Sequence, residues 1–147
     1  MPRPRQAAAP KEVRAALESI LQAPIGAIRV IEHSRFARLH GRAVATTRRE
    51  RIYLRGSAEE FFADPWLMLH EYCHVLHQWR PGTLSVTRYL LECLRHGYWN
   101  NRFEVEARAF ADRHLATLHA HLSALPSAEQ RLAPVQPSGE HQQQHPE

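Results

Sequence analysis

Five consecutive residues, His70-Glu71-Tyr72-Cys73-His74, carry two imidazoles four positions apart with a carboxylate beside the first. On an α-helix, positions i and i+4 lie one turn apart on the same face, so both rings can reach one ion. Glu71 is turned about 100° from His70, beside such an ion rather than on it. From there it can accept a proton from a water that the ion polarises. The chemistry is metal-assisted hydrolysis. Zinc is the expected ion, because two His and a carboxylate with an open fourth position is its usual hydrolytic set.

Such a set needs a third protein donor. The metzincin pattern wants Gly at position 77 and His at position 80, where the chain has His77 and Arg80. The aspzincin pattern Gly-Thr-x-x-Asp also fails, since Gly82-Thr83 is followed by Val86. Asn101-Arg102-Phe103-Glu104-Val105-Glu106-Ala107 supplies two carboxylates, and the 30 residues from His74 to Glu104 leave room for an antiparallel helix and a return. Glu104 and Glu106 point about 200° apart on a helix, so only one can join a given ion, and spacing leaves the choice open. His77 is expected beside the site rather than in it. Cys73 and Cys93 are read as small buried residues. Tyr89, Tyr98 and Trp99 are candidates for stabilising an oxyanion, with packing or loop anchoring the expected role.

The elements that must position these residues follow from periodicity and punctuation. Pro10 suits a first helical turn, and Val13, Ala16, Leu17, Ile20 and Leu21 predict an amphipathic helix over Lys11–Ala23, stopped by Pro24. Ile28–Ile31 reads as a strand. Ser34 caps a short helix from Arg35 to His40, closed by Gly41. Ala43–Thr47 and Arg51–Leu54 form a hairpin around Arg48-Arg49-Glu50, giving a sheet of about three strands. Ser57 and Glu60 fit a capping box. Asp64 and Pro65 open a helix over Pro65–Arg80 that carries the His pair. A second helix spans Thr83–His96, and a third, capped by Asn100 or Asn101, spans Arg102–Leu125. Residues 1–9 and 126–147 lack apolar periodicity and are expected to be disordered, leaving one domain over 10–125.

Composition removes other classes. The chain has 147 residues and 44% apolar content, enough for one core. Two cysteines cannot build a disulfide scaffold. No run approaches the roughly 18 apolar residues of a membrane span, and the N-terminus lacks the apolar stretch of a secretory signal, so a cytoplasmic protein with reduced thiols is expected. The net charge of +4 is carried almost wholly by arginine. Arg48, Arg49 and Arg51 lack interleaved aromatics, so a solvated hairpin tip is expected there rather than a nucleic-acid surface.

Glu104-Val105-Glu106-Ala107 followed by Phe110-Ala111 resembles the E-x-E-A segment of gluzincin metallopeptidases, including the ImmA/IrrE and CAAX-prenyl types. The resemblance implies Glu104 as the third zinc ligand. Those families often place Asp or Asn four residues later, where this chain has Arg108. A wider resemblance over about residues 25–112 runs through Ile28-Arg29-Val30, Phe36-Ala37, Ala45-Thr46, Arg51-Ile52-Tyr53-Leu54 and the His-Glu helix. It is similar to the metallopeptidase-like domain at the core of contractile-injection-system effectors and polymorphic toxins. That domain's helix often continues His-Val-x-Gln, shifted by one here in His74-Val75-Leu76-His77-Gln78. The implied fold is α+β and zincin-like: a short antiparallel sheet, then a three-helix active-site unit. The implied function is a zinc peptidase acting on a protein or peptide substrate without a membrane partner, with His70, His74 and Glu104 on the metal and Glu71 as base. Export by a specialised secretion machine fits the same resemblance. In this reading the strand Arg51–Leu54 is the sheet edge that pairs with substrate. Two other functions compete with it: a zinc-bearing interaction module with little or no turnover, and an arginine-rich nucleic-acid binder.

Overall fold

Short β-branched runs bury alternate side chains and leave the others facing outward, the pattern of a sheet with one covered face. In the computed structural model, which describes residues 4–39 and 43–125, three such runs and a two-residue strand form one sheet. β1 (Gln6–Ala7) pairs antiparallel with β2 (Arg29–Ile31), and β2 runs parallel to β4 (Arg51–Leu54). β4 pairs antiparallel with β3 (Ala45–Arg48), so the order is β1-β2-β4-β3. Val30 faces Ile52 across the parallel pair, and both are fully buried.

The class is α+β, as read from the sequence, but the sheet differs from the expected antiparallel three strands. It has four strands and is mixed. Residues 4–9 are not featureless: Gln6 and Ala7 add a strand although their side chains show no apolar alternation. Backbone pairing alone recruits them, and the Glu32 N–H also donates to the Arg5 carbonyl at 3.0 Å. Arg51–Leu54 is an interior strand, and the edge beside the helices is Ala45–Arg48. The hairpin between them turns at Arg49 and Glu50, with Arg49 in the left-handed region at φ 53°. The expected stop at Gly41, the first three residues and the tail 126–147 lie outside the described residues.

The helices follow their caps. α1 (Lys11–Leu21) stops two residues short of the expected Ala23, at a Gln22 cap left-handed at φ 55°. α2 (Arg35–Leu39) starts at Ser34, whose hydroxyl accepts the Phe36 N–H. α3 (Ala58–Phe62) has the reciprocal Ser57–Glu60 capping box. α4 (Pro65–Cys73) starts where Asp64 accepts the Leu67 N–H at 2.9 Å. The same rod then widens into a π-helical turn, His74–Trp79, where one α-helix was expected. α5 (Val86–His96) begins at the Ser85 cap, three residues later than expected, because the Thr83 hydroxyl donates to the Gln78 carbonyl in the preceding turn. α6 (Arg102–Ser123) starts at Asn101. The core joins the covered sheet face to Leu17, Phe61, Met68, Leu69, Tyr72 and Leu118, so α4 lies between the sheet and α6. Two side chains tie the π turn to the hairpin. Trp79 Nε1 donates to Thr47 Oγ1 at 3.3 Å, and Arg80 makes a two-pronged ion pair with Glu50.

Candidate metal centre

Pro65 and the Asp64 cap set the start of α4, and the i, i+4 rule then brings His70 and His74 to one side of it. Their Nε2 atoms stand 3.1 Å apart. α6 supplies the third donor through its own buried stripe: Glu104 stands in line with Ala107, Ala111 and Leu118, which α6 buries together with Phe103. Glu104 Oε2 lies 3.2 Å from His70 Nε2 and 3.6 Å from His74 Nε2. All three side chains are buried. A tetrahedral ion with bonds of about 2.05 Å sets its ligand atoms about 3.3 Å apart. The observed triangle fits that spacing, and His2Glu is a donor set zinc accepts.

The buried groups of the triangle shift one another's ionisation. Burial works to raise the Glu104 carboxyl, but hydrogen bonds from His70 and His74, the His74 charge and the Tyr89 hydroxyl hold it well below the usual carboxylate range. Burial works against the charged His74 ring, yet its bond to Glu104 and the charges of Glu71 and Glu104 raise its pKa. Glu71 is displaced upward, chiefly by burial, with the neighbouring imidazoles opposing and Glu104 adding to the rise. Its Oε2 is buried and has no hydrogen-bond partner among the described residues. That orphaned oxygen belongs to a side chain lining the cavity of about 220 Å³ that the three donors also line. The far wall is apolar, from Trp79, Leu84, Val86 and Leu90, and the edge strand β3 contributes Ala45, Thr46 and Thr47.

The other candidates separate clearly. Glu106 is exposed and takes a 3.3 Å hydrogen bond from Gln78 Nε2, away from the triangle. His77 stands edge-on to Phe110 and is outside the donor set. Cys73 is buried as expected, its thiol pushed up to about 12 by burial and the Glu106 charge. Cys93 is only half-buried, because it faces the α5–α6 corner, where Asn101 Nδ2 donates to its sulfur. Both tyrosines serve Glu104: Tyr89 donates to Oε1 at 2.8 Å and Tyr98 to Oε2 at 3.4 Å. Burial, then the Glu104 charge, push Tyr98 up to about 12. Trp99 is exposed and carries the Arg108 guanidinium 4.2 Å above its ring. Asn101 caps α6 by accepting the Phe103 N–H. Arg48, Arg49 and Arg51 are exposed at the hairpin tip.

Two supports were not anticipated. Trp66 stacks on His70 with ring centroids 5.0 Å apart and ties to Asp112 of α6 through Nε1. Gln78 bonds His74 Nδ1. Both lie four residues from an imidazole along the same rod, the spacing that marks helical neighbours and could have revealed them.

A buried His-His-Glu triangle with the unpartnered Glu71 Oε2 beside it, on a small α+β fold, defines a candidate metal site. A family model described as the eCIS core domain matches residues 8–82, and the chain belongs to that family. The match runs from the approach to α1 through the π turn; it includes His70, Glu71 and His74, while Glu104 lies beyond it. Comparison with curated proteins and comparison with solved structures each found no match. No helix among the described residues is long and apolar enough to cross a membrane.

Proposed function

We propose that this domain binds one zinc ion through His70, His74 and Glu104 and hydrolyses peptide bonds in a protein or peptide substrate, with Glu71 as general base. The observation that carries this reading is the buried three-donor triangle with the unpartnered Glu71 Oε2 beside it in one cavity. When bound, zinc would supply a Lewis acid for the substrate carbonyl and for the attacking water. Glu71 takes the water's proton and returns it to the leaving amine, a task suited to a carboxylate whose pKa burial has raised. Tyr89 and Tyr98 hold the Glu104 carboxylate toward the imidazoles. In this reading the edge strand β3, rather than the interior strand Arg51–Leu54, would pair with an extended substrate backbone, since β3 also lines the cavity. The eCIS core family assignment supports a setting in an extracellular contractile injection system, which bears on context rather than on activity.

A second reading, a zinc-bearing module without turnover, draws on one observation. The tyrosine hydroxyls that would stabilise an oxyanion are already engaged with Glu104.

The test compares zinc content and cleavage of an unfolded protein by the wild type and by Glu71→Gln. The expected result is equal zinc with activity lower by about 10²–10⁴-fold. A folded, zinc-loaded Glu71→Gln that cleaves as fast as wild type rejects the mechanism. A wild type that carries zinc and cleaves nothing selects the second reading. A wild type that binds no zinc rejects both.

A further inference from the structure

Gln78 is fully buried, and its amide joins the two elements that supply the metal donors. Nε2 lies 2.9 Å from the Phe103 carbonyl oxygen and 3.3 Å from Glu106 Oε2. Both of these atoms only accept, so the amide end that meets them must be the NH2 group. The other end, Oε1, is then an acceptor, and it lies 2.6 Å from His74 Nδ1. An acceptor at that distance requires the proton to sit on Nδ1. In the neutral ring this leaves Nε2 bare, and Nε2 is the atom that faces His70 Nε2 and Glu104 Oε2.

His70 differs. Its Nδ1 has no hydrogen-bond partner among the described residues, and its ring orientation comes from the stacked Trp66. Of the two imidazoles, His74 is the one whose tautomer is dictated by a neighbour. The same Gln78 amide grips the carbonyl of Phe103, the residue preceding Glu104. One side chain therefore sets both the ring of one donor and the backbone that presents another.

We propose that Gln78 is a positioning residue of the metal site: it locks His74 with its proton on Nδ1, leaving Nε2 free for a metal, and clamps the start of α6 so that Glu104 meets that nitrogen. This rests on the metal-binding reading above, and the experiment separates the two. The first arm records 15N–1H spectra of the imidazole nitrogens in metal-free wild type and Gln78→Met, at a pH that leaves the rings neutral. Wild type is expected to show His74 protonated at Nδ1, and the Met variant a shift toward Nε2. The second arm measures zinc affinity by competition with a chelator. Gln78→Met is expected to bind about 10–100-fold more weakly. Gln78→Glu keeps an acceptor for Nδ1–H and should restore the tautomer and part of the affinity.

Metal-free wild type with the His74 proton on Nε2 overturns the proposal, whether or not any variant folds. So does a folded Gln78→Met with wild-type zinc affinity. A wild type that binds no zinc defeats the metal reading instead, while the tautomer found in the first arm still decides whether Gln78 sets the His74 ring.

Discussion

Glu104 and Glu106 are the same residue type two positions apart, and the helix they share gives them opposite surroundings. Glu104 falls in the stripe with Ala107, Ala111 and Leu118 and is carried inward, whereas Glu106 turns out to solvent. The expected outcome of Glu104→Gln is loss of most bound zinc, while Glu106→Gln keeps zinc within a few-fold of wild type; metal analysis of the two purified proteins checks this. Part of this was legible in advance. The pairing of His70 with His74 and the position of Glu71 beside them follow from helical spacing alone, and the apolar positions of α6 already include Ala107, Ala111 and Leu118. Spacing cannot say which of two carboxylates meets a distant helix, and although it sets Gln78 beside His74, it cannot show the partners of Gln78 25 and 28 residues away at Phe103 and Glu106.

Helices were readable from the sequence because their ends are chemical events. Asp64, Ser57, Ser34 and Asn101 each accept a backbone N–H that would otherwise go unpaired. The sheet was less readable because β1 is recruited by a neighbour's backbone, and the parallel pairing of β2 with β4 is decided by the whole fold rather than by either strand. The π turn has no comparable marker. α5 is a different case: its apolar residues recur with a clear helical period, yet it buries none of them. Leu90 and Leu94 remain exposed, Leu94 at 83%. Its polar links among the described residues are at its margins: the Tyr89 hydroxyl on Glu104, the Asn101 contacts to the Tyr89 carbonyl and Cys93, the Arg102–Glu92 ion pair, and Arg88 on the Gly82 and Thr83 carbonyls. Amide protons of α5 are therefore expected to exchange at least about tenfold faster than those of α4, in native-state hydrogen exchange. Equal protection in the two helices would show that α5 is held by more than these links.

For the molecule as a whole, a ligand that binds only the folded state adds stability by mass action. Zinc at about 100 times its dissociation constant adds roughly 2.7 kcal/mol. That corresponds to an unfolding temperature higher by roughly 10 °C, reversed by a chelator. Scanning calorimetry with and without zinc measures it. The response to pH should differ in sign between the two forms. The folded-state pKa of His74 is raised. In metal-free protein its contribution is therefore complete below the unfolded value of about 6.5 and is lost as pH rises through the folded value. In loaded protein the imidazoles must be neutral to bind, so the zinc contribution grows as pH rises through the same range. The wide turn from His74 to Trp79 also bears on how the halves of the molecule are joined. A π turn holds one residue more than an α-helical path of the same rise, so everything beyond it is rotated by about 100°. That offset aims Trp79 at Thr47 and Arg80 at Glu50. A single-codon deletion between Val75 and Trp79 would leave a regular rod behind, yet it would swing both side chains off the hairpin and unfasten the sheet from the helices that build the site.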